Sequence, residues 1–151
     1  MDSQILHLQK VLKTVGVETA MTLKNISEII DDLRKESNLI FSESNEIIEL
    51  HLTEKSLRGK ISESIVLLGS LEKLNLFSNF IHGSIPVQTV SLVNLVELDL
   101  SENQLTGPIP ESLGTLTSLK SLLLFDNELV SLTLPYPCIC IPLILKLTFY
   151  A

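Results

Sequence analysis

The sequence has no tryptophan, and aromatic residues make up only 5% of its 151 positions. Its apolar mass, 45% of the chain, is therefore mostly Leu and Ile, and any core must be aliphatic. Basic residues are scarce. Eleven Lys and Arg stand against 18 Asp and Glu, for a formal net charge of −7. That balance excludes the clustered basic footprint of a nucleic-acid binder and favours basic partners over acidic ones. There are two cysteines, Cys138 and Cys140, spaced C-x-C with no histidine beside them. Two ligands are too few for zinc, and thiols two apart in this setting read as structural.

Other absences narrow the reading further. The N-terminus, MDSQILHLQKVLKTVGVETA, lacks a basic start, an apolar run and a small-residue cleavage site, so no signal peptide is expected. A cytoplasmic chain is the first expectation, with a membrane or extracellular one as the alternative if the natural beginning is missing. The charge-free run from Leu129 to Leu145 is at the short limit for a membrane span, and Pro135, Pro137 and Pro142 break it. His7, His51 and His82 fall in unrelated contexts, with no nucleophile or paired carboxylate at a catalytic spacing. No Gly-rich phosphate loop is present, and Asp31-Asp32 reads as a solvated helix face. No catalysis, cofactor or metal is expected.

A repeat of 24 residues is what the sequence does contain. From Ile47 the chain aligns without insertion as IIELHLTEKSLRGKISESIVLLGS (47–70), LEKLNLFSNFIHGSIPVQTVSLVN (71–94), LVELDLSENQLTGPIPESLGTLTS (95–118) and LKSLLLFDNELVSLTLPYPCICI (119–141). Leu50, Leu74, Leu98 and Leu122 share one column, and Leu52, Leu76, Leu100 and Leu124 another two residues on. Alternation of this kind places both leucines on one face of a short strand. Asn79, Asn103 and Asn127 form the next column, followed by Gly59, Gly83 and Gly107, and by Ile61, Ile85 and Ile109. Pro86 and Pro110 close the pattern.

The pattern L-x-x-L-x-L-x-x-N-x-L-x-G-x-I-P resembles the leucine-rich-repeat family, in the plant-type form of receptor-like kinases and polygalacturonase-inhibiting proteins. The resemblance covers residues 47 to about 134. It implies an α/β solenoid, a right-handed coil with a short parallel sheet on its concave face. One coil cannot bury its leucines alone, so stacking is obligatory. Where the chain turns inward after each strand, an Asn amide can satisfy backbone groups of its own coil and the next. The glycines suit unusual dihedrals or close coil-to-coil approach, and the prolines tolerate the missing N–H. The segment after each proline predicts a turn or two of 3₁₀ or α-helix.

The ends depart from the pattern. Lys55 stands at the Asn place and Ser62 at the Pro place of the first coil; Ser131 takes the Gly place of the fourth. Leu134-Pro135 fits a displaced I-P pair, and Leu145 and Leu147 a terminal strand over 145–147. Residues 1–46 show helical spacing at Ile5, Leu8, Leu12 and Val15, and again at Leu23, Ile26, Ile29, Ile30 and Leu33. They read as a helical N-terminal cap on repeats spanning 47–151. The sequon at Asn25 falls in that helical setting and reads as inert.

With no chemistry in the pattern, function falls to surface. Residues alternating with the buried leucines face the concave side: Glu49, His51 and Thr53; Lys73, Asn75 and Phe77; Glu97, Asp99 and Ser101; Ser121, Leu123 and Phe125, with Glu102 and Asp126 beside them. The resemblance implies a non-catalytic module that binds a protein or peptide there, in signalling or defence-like recognition. Phe77 and Phe125 are the expected aromatic anchors. Glu97, Asp99 and Glu102 form an acidic patch for a basic partner, with Glu49, His51, Lys73, Asn75 and Asp126 completing the face. The alternative is a truncated piece of a receptor-like kinase ectodomain without independent activity; kinase activity itself does not carry over.

Overall fold

In the computed structural model of the chain, residues 3–14, 26–130 and 144–146 are described. The expectations on Val15, Asn25, Ser131, Leu134-Pro135, Cys138, Cys140, Leu147 and most of the Leu129–Leu145 run lie outside them.

The x-L-x alternation becomes one short strand per coil. These are β2 (Ile47–His51), β3 (Lys73–Asn75), β5 (Glu97–Asp99) and β7 (Ser121–Leu123). They pair in parallel, with Leu50, Leu74, Leu98 and Leu122 in one register column. β9 (Ile144–Lys146) continues the sheet beyond β7, Leu145 opposite Leu122. All four column leucines are buried, as are Leu52, Leu76, Leu100 and Leu124. Each buried leucine contributes roughly 1.5–3 kcal/mol before conformational entropy is charged against it.

After each strand the chain turns through a residue in the left-handed region: Glu54, Ser78, Glu102 and Asp126, with φ of 56°, 52°, 51° and 51°. None is glycine. The turn keeps the ladder running, because the N–H of Glu54, Ser78 and Glu102 donates to the carbonyl of Phe77, Ser101 and Phe125 in the following coil. The asparagine column comes next. Asn103 Oδ1 accepts from Ile81 N at 3.0 Å, while its Nδ2 donates to the carbonyls of Leu76, Leu100 and Ser101 at 2.9, 3.1 and 3.0 Å. Asn79 binds Lys55 N, Leu57 N and Leu52 O in the same way, and Asn127 binds Leu105 N and Leu100 O. Each amide therefore joins its own coil to the preceding one, not to the next as expected. The reason is geometric: the chain has already turned inward, and the groups within reach are those of the coil behind.

A second sheet follows that periodicity did not foretell. β4 (His82–Gly83), β6 (Gln104–Pro108) and β8 (Glu128–Val130) pair in parallel along the flank. Gly83 and Gly107 enter it with φ of 81° and 80°, and a Cβ on Gly83 would come within 3.3 Å of the Lys60 side chain. Gly59, at the same point of the first coil, is not in that region; in that coil Ser56 joins Glu54 in it, at φ 56°. Three short 3₁₀ helices then return the chain across the convex side: η1 (Glu63–Leu67), η2 (Val87–Ser91) and η3 (Glu111–Thr115). Pro86 and Pro110 open η2 and η3 at φ of −68° and −60°. Ser62 opens η1 by a different device, its hydroxyl accepting from Ser64 N at 3.0 Å. Ile65 and Leu113 point into the core, and between them Thr89 is equally buried with no partner for its hydroxyl.

At the N-terminal end α1 (Ser3–Thr14) buries Leu8, Val11 and Leu12, and packs on η1. Its last carbonyl, Thr14 O, accepts from Lys60 N at 2.8 Å. α2 (Ile26–Lys35) buries Ile29, Ile30 and Leu33. It ends where Ser37 adopts φ 57° and Asn38 N reaches back to Leu33 O. The chain then forms β1 (Leu39–Phe41), antiparallel to β2, so residues 1–46 contain a strand as well as helices. Lys55, at the first coil's Asn place, uses its ammonium on Glu36 at 3.2 Å.

Candidate functional site

The parallel register turns the outward strand residues into rows across the concave face. Glu49, Lys73, Glu97 and Ser121 form one row; His51, Asn75, Asp99 and Leu123 form the next. The rows are chemically uneven.

On the β2–β3 side charge is settled internally. Glu49 Oε1 lies 3.1 Å from Lys73 Nζ, and Oε2 lies 3.1 Å from His51 Nε2. Burial alone would raise the Glu49 carboxyl, but the hydrogen bonds and charges of His51 and Lys73 outweigh it and hold it below the ordinary carboxylate range. Lys73 moves the other way, its ammonium favoured by the hydrogen bond and charge of Glu49, then by Glu97 and Glu72. A carboxyl depressed in the folded state stabilises above its unfolded pKa, and that contribution is lost as pH falls through the folded value. Between neutral pH and ~2, wild type is therefore expected to lose more stability than Glu49→Gln. Thermal melts along that pH range check it; parallel acid limbs would remove the triad from the stability balance.

On the β5–β7 side the acids form no ion pair among the described residues, and only Glu97 lies near enough to Lys73 to favour its charge. Glu97, Glu102 and Asp126 are exposed, Asp99 is half-buried, and none of the four forms a salt bridge among the described residues. Asp99 and Asn75 carry a second duty. Asn75 Oδ1 accepts from Phe77 N at 2.9 Å and from Thr53 Oγ1 at 3.1 Å. Asp99 Oδ1 accepts from Ser101 N at 3.0 Å and from the Ser101 hydroxyl. These side chains fold back on the strand end as Asx turns, which fix where Phe77 and Ser101 lie. Ser101 is consequently 0% exposed and does not reach the surface expected for it. Phe77 and Phe125 are half-buried, and Leu123 shares that state beside Phe125. Leu123 is an apolar surface position whose neighbourhood to Asp99 only the register reveals. Among the described residues no cluster of His, Cys, Asp or Glu could hold a metal, and no helix is long and apolar enough to cross a membrane.

A leucine-rich-repeat family model matches residues 70–129. One chain of the BIR3–SERK2 complex from Arabidopsis thaliana shares 33% identity with this one, covering 83% of it and 69% of its own length, at a TM-score of 0.69. The chain belongs to the leucine-rich-repeat family. Its subclass is the plant type: the BIR2 ectodomain from Arabidopsis thaliana matches at 31% identity over 85% of this chain and 69% of that one, at a TM-score of 0.68. The PEPR1–AtPEP1 structure matches at 26% identity and a TM-score of 0.69 over 85% of this chain, which spans only 18% of that chain's length. No curated protein sequence matches it. A cytoplasmic location finds no support among the solved structures this chain is similar to, which include receptor ectodomains.

Proposed function

We propose that this leucine-rich-repeat chain is a non-catalytic binding module whose concave sheet receives a protein or peptide with basic side chains. The observation that carries the reading is the asymmetry of the face. Glu49 is neutralised by Lys73 and His51, whereas Glu97, Asp99, Glu102 and Asp126 form no salt bridge among the described residues and lie beside Phe77, Leu123 and Phe125. A partner that brings basic and apolar side chains to the β5–β7 half satisfies both. PEPR1–AtPEP1 and BIR3–SERK2 were each solved as complexes, which supports a binding role for coils of this kind.

Three further elements belong to the same reading. The coil is right-handed, as parallel strand–crossover–strand units nearly always are. α1 and α2 serve as a cap that shields the open leucine edge of the first coil. The chain works outside the cell, as part of or beside a receptor ectodomain; its small share of the PEPR1 chain favours a piece of a longer recognition surface.

The test is a titration of the intact chain with extended peptides of matched length and positive, zero or negative net charge. Basic peptides are expected to bind tightest. Glu97→Lys with Glu102→Lys is expected to weaken them by about tenfold or more. Asp99→Asn removes charge while keeping the turn, as Asn75 does one coil earlier. Affinity indifferent to peptide charge, or to both charge reversals, would overturn the acidic-face reading.

A further inference from the structure

The concave face carries a second signal besides charge. In the row His51, Asn75, Asp99 and Leu123, the two middle residues are held by the same device. Asn75 Oδ1 is committed to Phe77 N at 2.9 Å and to Thr53 Oγ1 at 3.1 Å, and Asp99 Oδ1 to Ser101 N at 3.0 Å and to the Ser101 hydroxyl. Each turn locks its side chain by one atom and leaves the other arm over. Asn75 Nδ2 and Asp99 Oδ2 form no hydrogen bond among the described residues, and neither atom is buried. The two residues are register partners on adjacent parallel strands, so their Cα atoms lie about one strand spacing, ~4.8 Å, apart. The ends of the row differ: His51 is bonded to Glu49 at 3.1 Å, and Leu123 is apolar.

A fixed donor beside a fixed acceptor selects its occupant. A lone ammonium or guanidinium would satisfy Asp99 and meet only N–H groups at Asn75; a carboxylate would do the reverse. A main chain in extended conformation serves both, because C=O and N–H alternate along each of its edges. We infer that Asn75 and Asp99 read the main chain of an extended segment of the partner, Asn75 donating to one of its carbonyls and Asp99 accepting from one of its amides. Both arms are fixed before binding, so little ordering cost falls on them. The segment is thereby seated over the second and third coils, with Glu97 and Glu102 beside it for its basic side chains and Leu123 and Phe125 for its apolar ones. The inference rests on the concave sheet as the binding face proposed above, but not on the sign of the partner's charge.

Calorimetric titration of the intact chain with a short peptide of Lys, Leu and Ala in non-repeating order tests it. Lacking Asn and Gln, that peptide has no side-chain amide to imitate its main chain. Asn75→Asp keeps the turn, as Asp99 does one coil later, but puts a carboxylate oxygen in place of the outward N–H groups. Charge alone would make a basic peptide bind this variant tighter; about tenfold weaker binding is expected instead, with an unaltered circular dichroism spectrum. Copies of the peptide N-methylated at one amide each supply the second arm. One position is expected to lose about tenfold on wild type and nothing further on Asp99→Asn, which offers no outward acceptor. Tighter binding by Asn75→Asp, or N-methylation tolerated equally at every position, would overturn the main-chain reading while leaving the acidic face standing. Binding indifferent to peptide charge, yet weakened by Asn75→Asp and by one N-methyl group, would remove the acidic face and uphold the main-chain reading. A peptide that does not bind at all would remove both.

Discussion

Replacing Asn103 by leucine is expected to destabilise the chain by about 1–3 kcal/mol, although leucine has the same number of heavy atoms and is better suited to a core. The amide holds four backbone groups at once: Ile81 N and Leu76 O in the preceding coil, and Leu100 O and Ser101 O in its own. Leucine would leave Ile81 N without a partner, while Leu76 O, Leu100 O and Ser101 O would each lose one of two bonds and keep those from Asn79, Asn127 and Ser78; an orphaned donor costs about 1–3 kcal/mol. Against a total stability of roughly 5–15 kcal/mol, this is a large share. Asn103→Asp separates shape from hydrogen bonding. It keeps Oδ1 but replaces the donating amide with an oxygen facing three carbonyls. Its carboxyl would be pushed above the unfolded value, so destabilisation grows as pH rises past the ordinary carboxylate range and recedes below it. Urea denaturation at neutral pH and near pH ~4 distinguishes the cases. If both variants stayed within ~1 kcal/mol of wild type, the amide ladder would not be what ties coil to coil.

The ladder also shows how far the sequence could be read. Three in-phase asparagines among leucines at a 24-residue spacing identify coil, strand and inward turn, because the repeat multiplies a weak local signal. The direction of the amide's reach is not in the spacing. It depends on where the turn has carried the chain, which is the product of a left-handed residue that is polar but not glycine or asparagine, the types that usually mark such a turn: Glu54, Ser78, Glu102 and Asp126. The flank sheet escaped for a related reason. β4 is two residues long, and β6 has a single apolar side chain, Leu105, ahead of its Gly-Pro pair, so neither carries a strand signal in its sequence. β1, three residues after a polar loop, is equally short.

The candidate face was legible in membership but not in balance. Alternation placed Glu49, Lys73 and Glu97 on one side of the sheet, and the register puts them in one row. Which carboxylate the lysine would hold is a matter of side-chain geometry: Glu49 lies 3.1 Å from it and forms the ion pair, while Glu97 does not. The same limit applies to Ser101, which alternation assigns to the surface and which its own bond to Asp99 withdraws from it.

Along β5 and its exit, an alanine scan is expected to produce a sawtooth. Leu98→Ala and Leu100→Ala should each cost about 3 kcal/mol, within the range for a buried leucine whose cavity the surroundings fail to close. Both are 1% exposed and lie between leucines of adjacent coils, and neighbouring strands held by a ladder on both sides have little freedom to collapse inward. Glu97→Ala should change stability by less than ~0.5 kcal/mol, as an exposed position without a salt bridge does. Asp99→Ala should fall between, near ~1 kcal/mol, because it faces outward yet holds the Ser101 turn. The order Glu97, Asp99, then the two leucines carries more weight than any single value. It requires that one strand separate an aliphatic interior from a surface free to bind, with an Asx turn between them. A scan in which Glu97 cost as much as Leu98 would mean that both faces of the strand are buried, and the concave sheet would then offer no surface to a partner. A scan flat across all four would mean that the coils do not share a core.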